Sequence, residues 1–161
     1  MRKVSLCLWF DSNAEAAVKF YRSVFKNFKE LGRAYHTRSL EKITGKPAGT
    51  LLTISFRLED QEFLALNGGS EFKFTPATSI VVKCRTQAEL NRIWKKLSVG
   101  AGKGQCGWLT DKFGVTWQIV PEQLSRWVGG RNTAKADAVM RAIHQMDRLD
   151  IRKLKAAYDR G

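Results

Sequence analysis

Hydrophobic and polar positions in the first part of the chain change from strand-like runs to helical spacing and back. An apolar run comes first, and Asp11-Ser12-Asn13 then supplies side chains that commonly cap a helix N-terminus. Apolar residues next recur at helical spacing before strand-like runs return. The pattern predicts a helix over Ala14–Phe25, a loop over Lys42–Gly49, and strands over Val4–Phe10, Arg33–Thr37, Thr50–Leu58 and Glu62–Leu66.

A similar order of elements begins again at Ser79, so the chain contains a strand–helix–strand repeat in element order. Thr86 and Glu89 have the spacing of a capping box, which marks the start of a second helix that ends at Leu97. The second half is predicted to have a glycine-rich loop over Gly100–Gly107 and strands over Ser79–Cys84, Trp108–Asp111 and Val115–Val120.

The residues after Pro121 carry helical patterns. An apolar stripe runs along Ala134–Met146, and Asp150 can cap a last helix that presents Ile151 and Leu154 on one side. These stripes need a surface to bury against, in the same chain or in a partner. The elements together indicate a mixed domain of helices and strands.

Composition agrees with a soluble globular protein. The 161 residues have room for one self-sufficient domain, with 43% hydrophobic and 27% charged residues. No apolar run approaches the length that spans a bilayer, and the first residues lack the features of a signal peptide. Three cysteines, an odd number, do not suggest a disulfide framework. We therefore expect a cytoplasmic protein with reduced thiols and no membrane partner.

The charge raises a further class of partner. The chain has 28 basic and 15 acidic residues, which give a net charge of +13. Such a balance suits nucleic acids, anionic surfaces or acidic ligands. The excess is spread along the chain without a run of like charges or a basic tail. The pattern favours a solvated basic surface over specific nucleic-acid binding.

Three stretches carry a family resemblance, and the C-terminal pattern of apolar residues agrees with it. They resemble the PhnB-like proteins, which are called 3-demethylubiquinone-9 3-methyltransferase-like, of the glyoxalase/bleomycin-resistance/dihydroxybiphenyl dioxygenase (vicinal oxygen chelate) superfamily. The stretches are Leu8–Ala17 with the following Phe20-Tyr21 and Val24-Phe25, Phe63–Gly69 with the following Phe72–Thr75, and Cys106–Pro121.

The resemblance implies an α+β fold of two βαβββ modules whose curled sheets form a cavity, together with C-terminal helices, in a homodimer. The chain would then be a single glyoxalase-like domain. Its parts would be module one at 1–68, a linker at 69–78, module two at 79–121 and a helical tail at 122–161.

The residues do not favour methyl transfer. An enzyme using S-adenosylmethionine usually has a glycine-rich turn between a first strand and a helix. Here the first predicted strand leads into Asp11-Ser12-Asn13 without a glycine, and the loop Gly100–Gly107 precedes a strand instead of a helix.

A bound metal and other cofactors are not expected. Metal-dependent members of the superfamily carry His or Glu at strand positions that correspond here to about Ser5–Leu6, Ala65, Ile80–Val81 and Gln118. None of these is an imidazole, thiolate or carboxylate, the usual ligands of zinc and transition metals. His36 is expected on a partly exposed strand and His144 on a helix surface, both outside a metal site.

The three cysteines differ in their surroundings. Cys7 and Cys84 lie in predicted strands and are expected to be small buried hydrophobic residues. Cys106 lies in the glycine-rich loop near Lys112, and a nearby cation favours thiolate. A nucleophilic role for Cys106 remains an alternative, but without an obvious histidine base in the sequence a structural or incidental thiol is the simpler interpretation.

The predicted site is a mostly apolar pocket with a few polar groups, which is typical of small-molecule sites. Trp117 and Phe10 are expected in the core. We expect ligand binding to depend on Asn67 and Trp108, and on neither histidine. The predicted ligand-binding residues are Trp9, Asn67, Phe72, Phe74, Cys106, Trp108 and Gln118.

Two classes of function remain open from the sequence. The first is a metal-independent small-molecule-binding protein or enzyme. The second is a non-catalytic protein that either sequesters a drug, as bleomycin-resistance proteins do, or associates with nucleic acid through its basic surface. Aromatic pocket residues fit both small-molecule interpretations, whereas only the charge supports nucleic acid.

We predict that any DNA binding is weak and independent of sequence, because evenly spread cations neutralise phosphates without reading bases. Affinity should fall steeply between about 50 mM and about 200 mM salt. Fluorescence anisotropy with labelled duplexes of unrelated sequence measures this dependence. A sequence-specific complex that survives physiological salt would contradict the prediction.

Overall fold

The structure, a computed structural model, describes residues 3–102, 104–129, 131 and 133–161. It divides into two units, Met1–Lys73 and Phe74–Gly161, and the division falls within the predicted linker. The α+β class is confirmed, with one sheet in each unit and helices at the C-terminus. That the whole chain is one glyoxalase-like domain stays a prediction.

The first unit is a four-stranded mixed sheet with the strand order β1-β4-β3-β2. Strand β1 runs parallel to β4, and the other neighbours are antiparallel. The unit has the predicted order of strand, helix and three strands, with one additional helix. Its elements are β1 (Leu6–Phe10), α1 (Ala14–Val24), β2 (Phe28–Tyr35), α2 (Arg38–Thr44), β3 (Leu51–Leu58) and β4 (Gln61–Asn67).

The core of the first unit lies between α1 and the sheet. Helix α1 buries one face, and Tyr21 from this face stacks on Phe56 of β3 at a centroid distance of 6.4 Å. Phe56 in turn stacks on Phe63 of β4 at 5.3 Å. Offset aromatic pairs add stabilisation beyond the area that they bury. Phe10 is 2% exposed, so its predicted place in the core is confirmed.

The predicted loop over Lys42–Gly49 is wrong at its start, because α2 extends to Thr44. The side chain of Thr37 caps this helix by accepting from the amide of Leu40, and Gly45 ends it at φ 70°. Glycine adopts this left-handed conformation without a Cβ penalty. None of the α2 residues is buried, and its two apolar residues, Leu40 and Ile43, are too few to form the longer stripe that predicts a helix from sequence.

The second unit has a three-stranded sheet with the order β5-β7-β6. Its sheet region comprises β5 (Ile80–Cys84), α3 (Gln87–Leu97), β6 (Trp108–Thr110) and β7 (Thr116–Pro121). Where the implied βαβββ module has another strand, the described residues of Gly100–Gly107 form only a bridge between Gln105 and Trp108. Glycines disfavour a regular strand in this segment.

The predicted start of α3 at Thr86 and the predicted core position of Trp117 are both confirmed. The hydroxyl of Thr86 accepts from the amide of Glu89 at 3.2 Å, and the Glu89 carboxylate accepts from the amide of Arg85 at 2.9 Å. Trp117 is fully buried, as expected, and its indole donates to the carboxylate of Asp111 at 2.8 Å. Asp111 also accepts from the amides of the turn that follows it.

Three helices complete the second unit: α4 (Leu124–Val128), α5 (Thr133–His144) and α6 (Ile151–Arg160). The Asp150 side chain caps α6 by accepting from the amide of Lys153 at 3.0 Å, as predicted. Val139 and Leu154 are fully buried, and α5 packs against α4 and α6 within the second unit, whereas Met140 of the α5 stripe is 43% exposed. Among the described residues, no helix is long and apolar enough to cross a bilayer.

All three cysteines are free thiols. Cys84 is buried, as expected, but the burial predicted for Cys7 is wrong because this side chain is exposed. Strand β1 buries Leu8 and Phe10 in the core, and Cys7, one residue before Leu8, points to the other face by period-two alternation and does not share this burial. A near-continuous apolar run hides this alternation in the sequence.

We predict that Thr86→Ala lowers the free energy of unfolding by about 1 kcal/mol, because it removes the side-chain cap of α3. Asn13→Ala is the matched control at the N-cap of α1, where the side chain makes no capping hydrogen bond. Urea denaturation of both variants measures the difference. Equal losses in the two variants would contradict the assignment.

Candidate functional site

The first unit contains a cavity of about 470 Å³. It lies among α2, the loop that follows α2, and residues of β1, β3 and β4. We call it the unit-1 cavity; its lining residues are Trp9, His36, Leu40, Thr44, Lys46, Leu52, Leu66, Asn67 and Gly68. Two of the predicted ligand-binding residues, Trp9 and Asn67, are therefore among its lining residues.

Trp9 forms an aromatic wall of the unit-1 cavity. Its indole Nε1 donates to the carbonyl of Gly69 at 2.8 Å, and its ring meets the edge of Phe72 at a centroid distance of 5.0 Å. A Cβ at position 68 would lie 2.2 Å from the Trp9 ring, which explains why glycine occurs there. Phe72 is 58% exposed, and it contacts Trp9 without itself lining this cavity.

Asn67 uses both ends of its side-chain amide on the backbone of its own unit. Oδ1 accepts from the amide of Ala14 at 2.9 Å, and Nδ2 donates to the carbonyl of Leu51 at 3.1 Å. The first contact satisfies a free amide at the start of α1, where Asn13 makes no side-chain cap. The side chain thus has a structural role, and its role in ligand binding stays a prediction.

His36 is buried, which corrects the expectation of a partly exposed strand residue. It follows the last residue of β2, and only 4% of it is exposed. Its Nδ1 lies 3.4 Å from the hydroxyl of Thr44, whereas Nε2 is buried without a hydrogen-bond partner. The missed helix α2 brings Thr44 to His36, so sequence reasoning had no means of placing them together.

The second unit contains an open cavity of about 440 Å³. We call it the unit-2 cavity; it is lined by Pro76, Gln105, Cys106, Trp108, Leu109, Thr110, Thr116 and His144. The predicted residues Cys106 and Trp108 are brought together here. Trp108 is 38% exposed, so part of its ring is available as a wall.

Cys106 lies beside an imidazole that the sequence did not associate with it. Its Sγ is 3.6 Å from Nδ1 of His144, the last residue of α5. Two backbone bonds hold the loop against the end of this helix: the amide of Cys106 donates to Met146 at 2.7 Å, and that of Gly107 donates to Asp147 at 2.8 Å. His144 is exposed on the helix surface, as expected.

The remaining predicted residues lie apart from the unit-2 cavity lining. Gln118 pairs with Trp108 across β6 and β7, but its amide donates to the hydroxyl of Ser79 at 2.8 Å. This bond supplies the partner that a half-buried Gln needs. Phe74 is half-buried and packs near Gly114. For both residues, ligand binding stays a prediction.

Burial controls the ionisation of two thiols. It raises the pKa of Cys7 above its usual value and raises the pKa of Cys84 to about 12, in the latter case with a contribution from Glu89. Both groups are therefore held towards the neutral thiol. This inert state agrees with the non-catalytic role expected for each of them.

The donor atoms do not fit the metal of the metal-dependent proteins that the family resemblance brings into consideration. Leu6, Ala65, Val81 and Gln118 at the corresponding positions provide neither imidazole nor carboxylate. Within the part of the chain that the structure describes, no three His, Cys, Asp or Glu residues come together to hold an ion. No chemistry in either cavity is therefore assigned to a metal.

Comparisons with known proteins identify similar sequences and folds. The sequence model of the 3-demethylubiquinone-9 3-methyltransferase family matches residues 2–120. A PhnB protein from Bacillus cereus has 29% identity and a TM-score of 0.61, over 74% of this chain and 99% of that chain. A protein from Pseudomonas aeruginosa has 17% identity and a TM-score of 0.56, over 75% and 97%. The family match confirms the resemblance carried by the three stretches.

A glyoxylase/bleomycin resistance protein/dioxygenase domain from a Frankia species is more distant. It has 12% identity and a TM-score of 0.47, over 75% of this chain and 93% of that chain. Among curated proteins, none matches this chain.

We predict that Asn67→Ala lowers the free energy of unfolding by about 3 kcal/mol, because the backbone groups of Ala14 and Leu51 lose their partner. Asn27→Ala is the control, since the exposed Asn27 amide bonds only the Glu59 side chain among the side-chain contacts described. It should cost no more than about 0.5 kcal/mol. Urea denaturation of both variants decides between a structural Asn67 and one kept only for a ligand.

Proposed function

The chain belongs to the 3-demethylubiquinone-9 3-methyltransferase family, and from this premise we propose that it binds a small organic anion with an apolar body in the unit-1 cavity. The family and fold point to the glyoxalase/bleomycin-resistance-like superfamily. The proposed binding requires no metal, since the donor set described above does not fit one.

The observation that carries this proposal is the composition of the cavity wall. Leu40, Leu52 and Leu66 supply apolar surface, and Trp9 adds a flat ring. A concave apolar wall with few polar groups is typical of small-molecule sites. The indole N–H is already bound to Gly69, so the ring contributes mainly packing.

Lys46 supplies the positive charge of the cavity. Its ammonium donates to the main-chain carbonyl of Asn67 at 3.1 Å, and no ion pair found among the described residues includes it. A carboxylate, sulfonate or phosphate would therefore meet a cation that no acidic side chain neutralises. Charge-assisted hydrogen bonds of this kind are stronger than neutral ones.

Binding is proposed here, and methyl transfer is not. The described lining of the unit-1 cavity contains no carboxylate and no thiol, so His36 and Lys46 are its titratable side chains. The glycine-rich segment leads into β6 instead of a helix, so it lacks the helix N-terminus that commonly faces a cofactor phosphate. Drug sequestration is compatible with the same cavity.

A homodimer remains part of the proposal. Strand β2 is an edge of the first sheet, and its Leu31 and Tyr35 are 41% and 49% exposed. Exposed edge strands with apolar residues are suited to pairing with a second copy. This exposure supports the homodimer expected from the family resemblance.

We predict that Lys46→Gln weakens the binding of 8-anilinonaphthalene-1-sulfonate about tenfold, because the sulfonate loses its charged partner. Fluorescence titration measures this affinity. Lys42→Gln is the matched control, since Lys42 lies on the exposed α2 outside the lining. The neutral probe N-phenyl-1-naphthylamine should bind wild type and Lys46→Gln alike. Equal losses in the two lysine variants would contradict the assignment of the anion site.

A further inference from the structure

The unit-2 cavity contains a nucleophile and a base that the proposed binding function does not use. The Sγ of Cys106 lies 3.6 Å from Nδ1 of His144, within hydrogen-bond distance for sulfur. Both residues line the same open cavity, which belongs to a different unit from the unit-1 cavity. A thiol beside an imidazole is the arrangement that activates cysteine for nucleophilic attack.

The backbone holds this pair in place. Cys106 has φ 56°, a left-handed backbone conformation that residues other than glycine rarely adopt. Its amide is bound to Met146, two residues after His144, so the loop and the end of α5 are tied together. The separation of thiol and imidazole is therefore set by main-chain contacts near both residues.

The other two thiols of the chain lack this arrangement. Cys84 is buried, and burial raises its pKa to about 12. Cys7 is exposed on β1, yet partial desolvation still raises its pKa. No hydrogen bond to a histidine is found for either thiol in the described part of the chain. Cys7 therefore serves as an internal reference that is more accessible than Cys106 but has no imidazole.

We propose that Cys106 and His144 form a nucleophilic site in the unit-2 cavity that takes soft electrophiles of the α,β-unsaturated carbonyl class. With the ring proton of His144 on Nε2, the thiol donates to Nδ1. The imidazole then acts as the base for Cys106, and no metal or further cofactor is needed.

The reaction is an addition. The thiol proton passes to Nδ1 of His144, and Sγ bonds to the β-carbon of the electrophile. The π pair of the C=C bond moves to the α-carbon, which then takes the proton back from the imidazolium. One S–H bond and one C=C π bond are replaced by one S–C bond and one C–H bond, so atoms and electrons balance without a co-reactant.

The cavity wall fits this class of molecule. The half-exposed ring of Trp108 offers a surface for a planar conjugated group. The hydroxyls of Thr110 and Thr116 lie 3.2 Å apart, and one of them donates its proton to the other. The second hydroxyl proton of the pair remains available to the carbonyl oxygen, where negative charge develops during addition.

The test uses N-ethylmaleimide, an α,β-unsaturated imide, at limiting concentration and neutral pH. Peptide mass spectrometry gives the rate of modification at each cysteine of the folded chain. Cys106 should react at least about tenfold faster than Cys7, although Cys7 is the more exposed, because general base catalysis acts only at Cys106. Cys84 should remain unmodified. A faster reaction at Cys7 would overturn the proposal.

The role of the imidazole is tested separately. His144→Ala should lower the rate at Cys106 to about that of Cys7, and imidazole added to the solution should restore part of it. Gln145→Ala, at the neighbouring exposed residue outside the cavity lining, is the matched control and should leave the rate at Cys106 unchanged. His144 is exposed, and circular dichroism verifies the fold of its variant. An unchanged rate in His144→Ala, or a lowered rate that imidazole does not restore, would refute the pair.

Discussion

The positions of α1, β3 and β4 relative to one another in the first unit depend on the side chain of Asn67. One buried amide joins the start of α1 to the start of β3, and it does so from the last residue of β4. The unit-1 cavity lies beside this junction, because Asn67 and Gly68 are part of its lining. A buried polar group that bonds two backbone partners favours one arrangement, since an alternative leaves those backbone groups unsatisfied. The shape of the cavity therefore follows from the same contacts that position the helix.

The aromatic core reinforces this arrangement from the other end of α1. Tyr21, Phe56 and Phe63 stack across helix and sheet, so the position of α1 is set by packing along its length and by a hydrogen bond at its start. Dense packing transmits small displacements instead of absorbing them. Changes in this core are therefore expected to reach the cavity even where they touch none of its lining residues.

Much of the fold can be predicted from the sequence, because its signals are local. Helices α1 and α3 carry apolar stripes, and Thr86 and Asp150 cap their helices through neighbours three residues away. Helix α2 has no buried face, so periodicity cannot reveal it. The residues that come together in the two cavities are harder to predict, because their contacts join positions that are distant in sequence. Asn67 bonds Ala14, and Cys106 meets His144; neither pair has a signal within one chain segment.

The left-handed backbone of Cys106 lowers the stability of its loop, while the same residue provides the thiol of the unit-2 cavity. Glycine follows it at 107 with φ 83°, so the loop holds two successive residues in the conformation that glycine adopts most readily. An L-residue in this region costs about 1 kcal/mol relative to glycine. If folding stability alone governed this position, glycine would be the better residue at 106 as well. The chain instead keeps a thiol in a conformation that opposes it, so the sulfur is held there at the expense of a more stable loop.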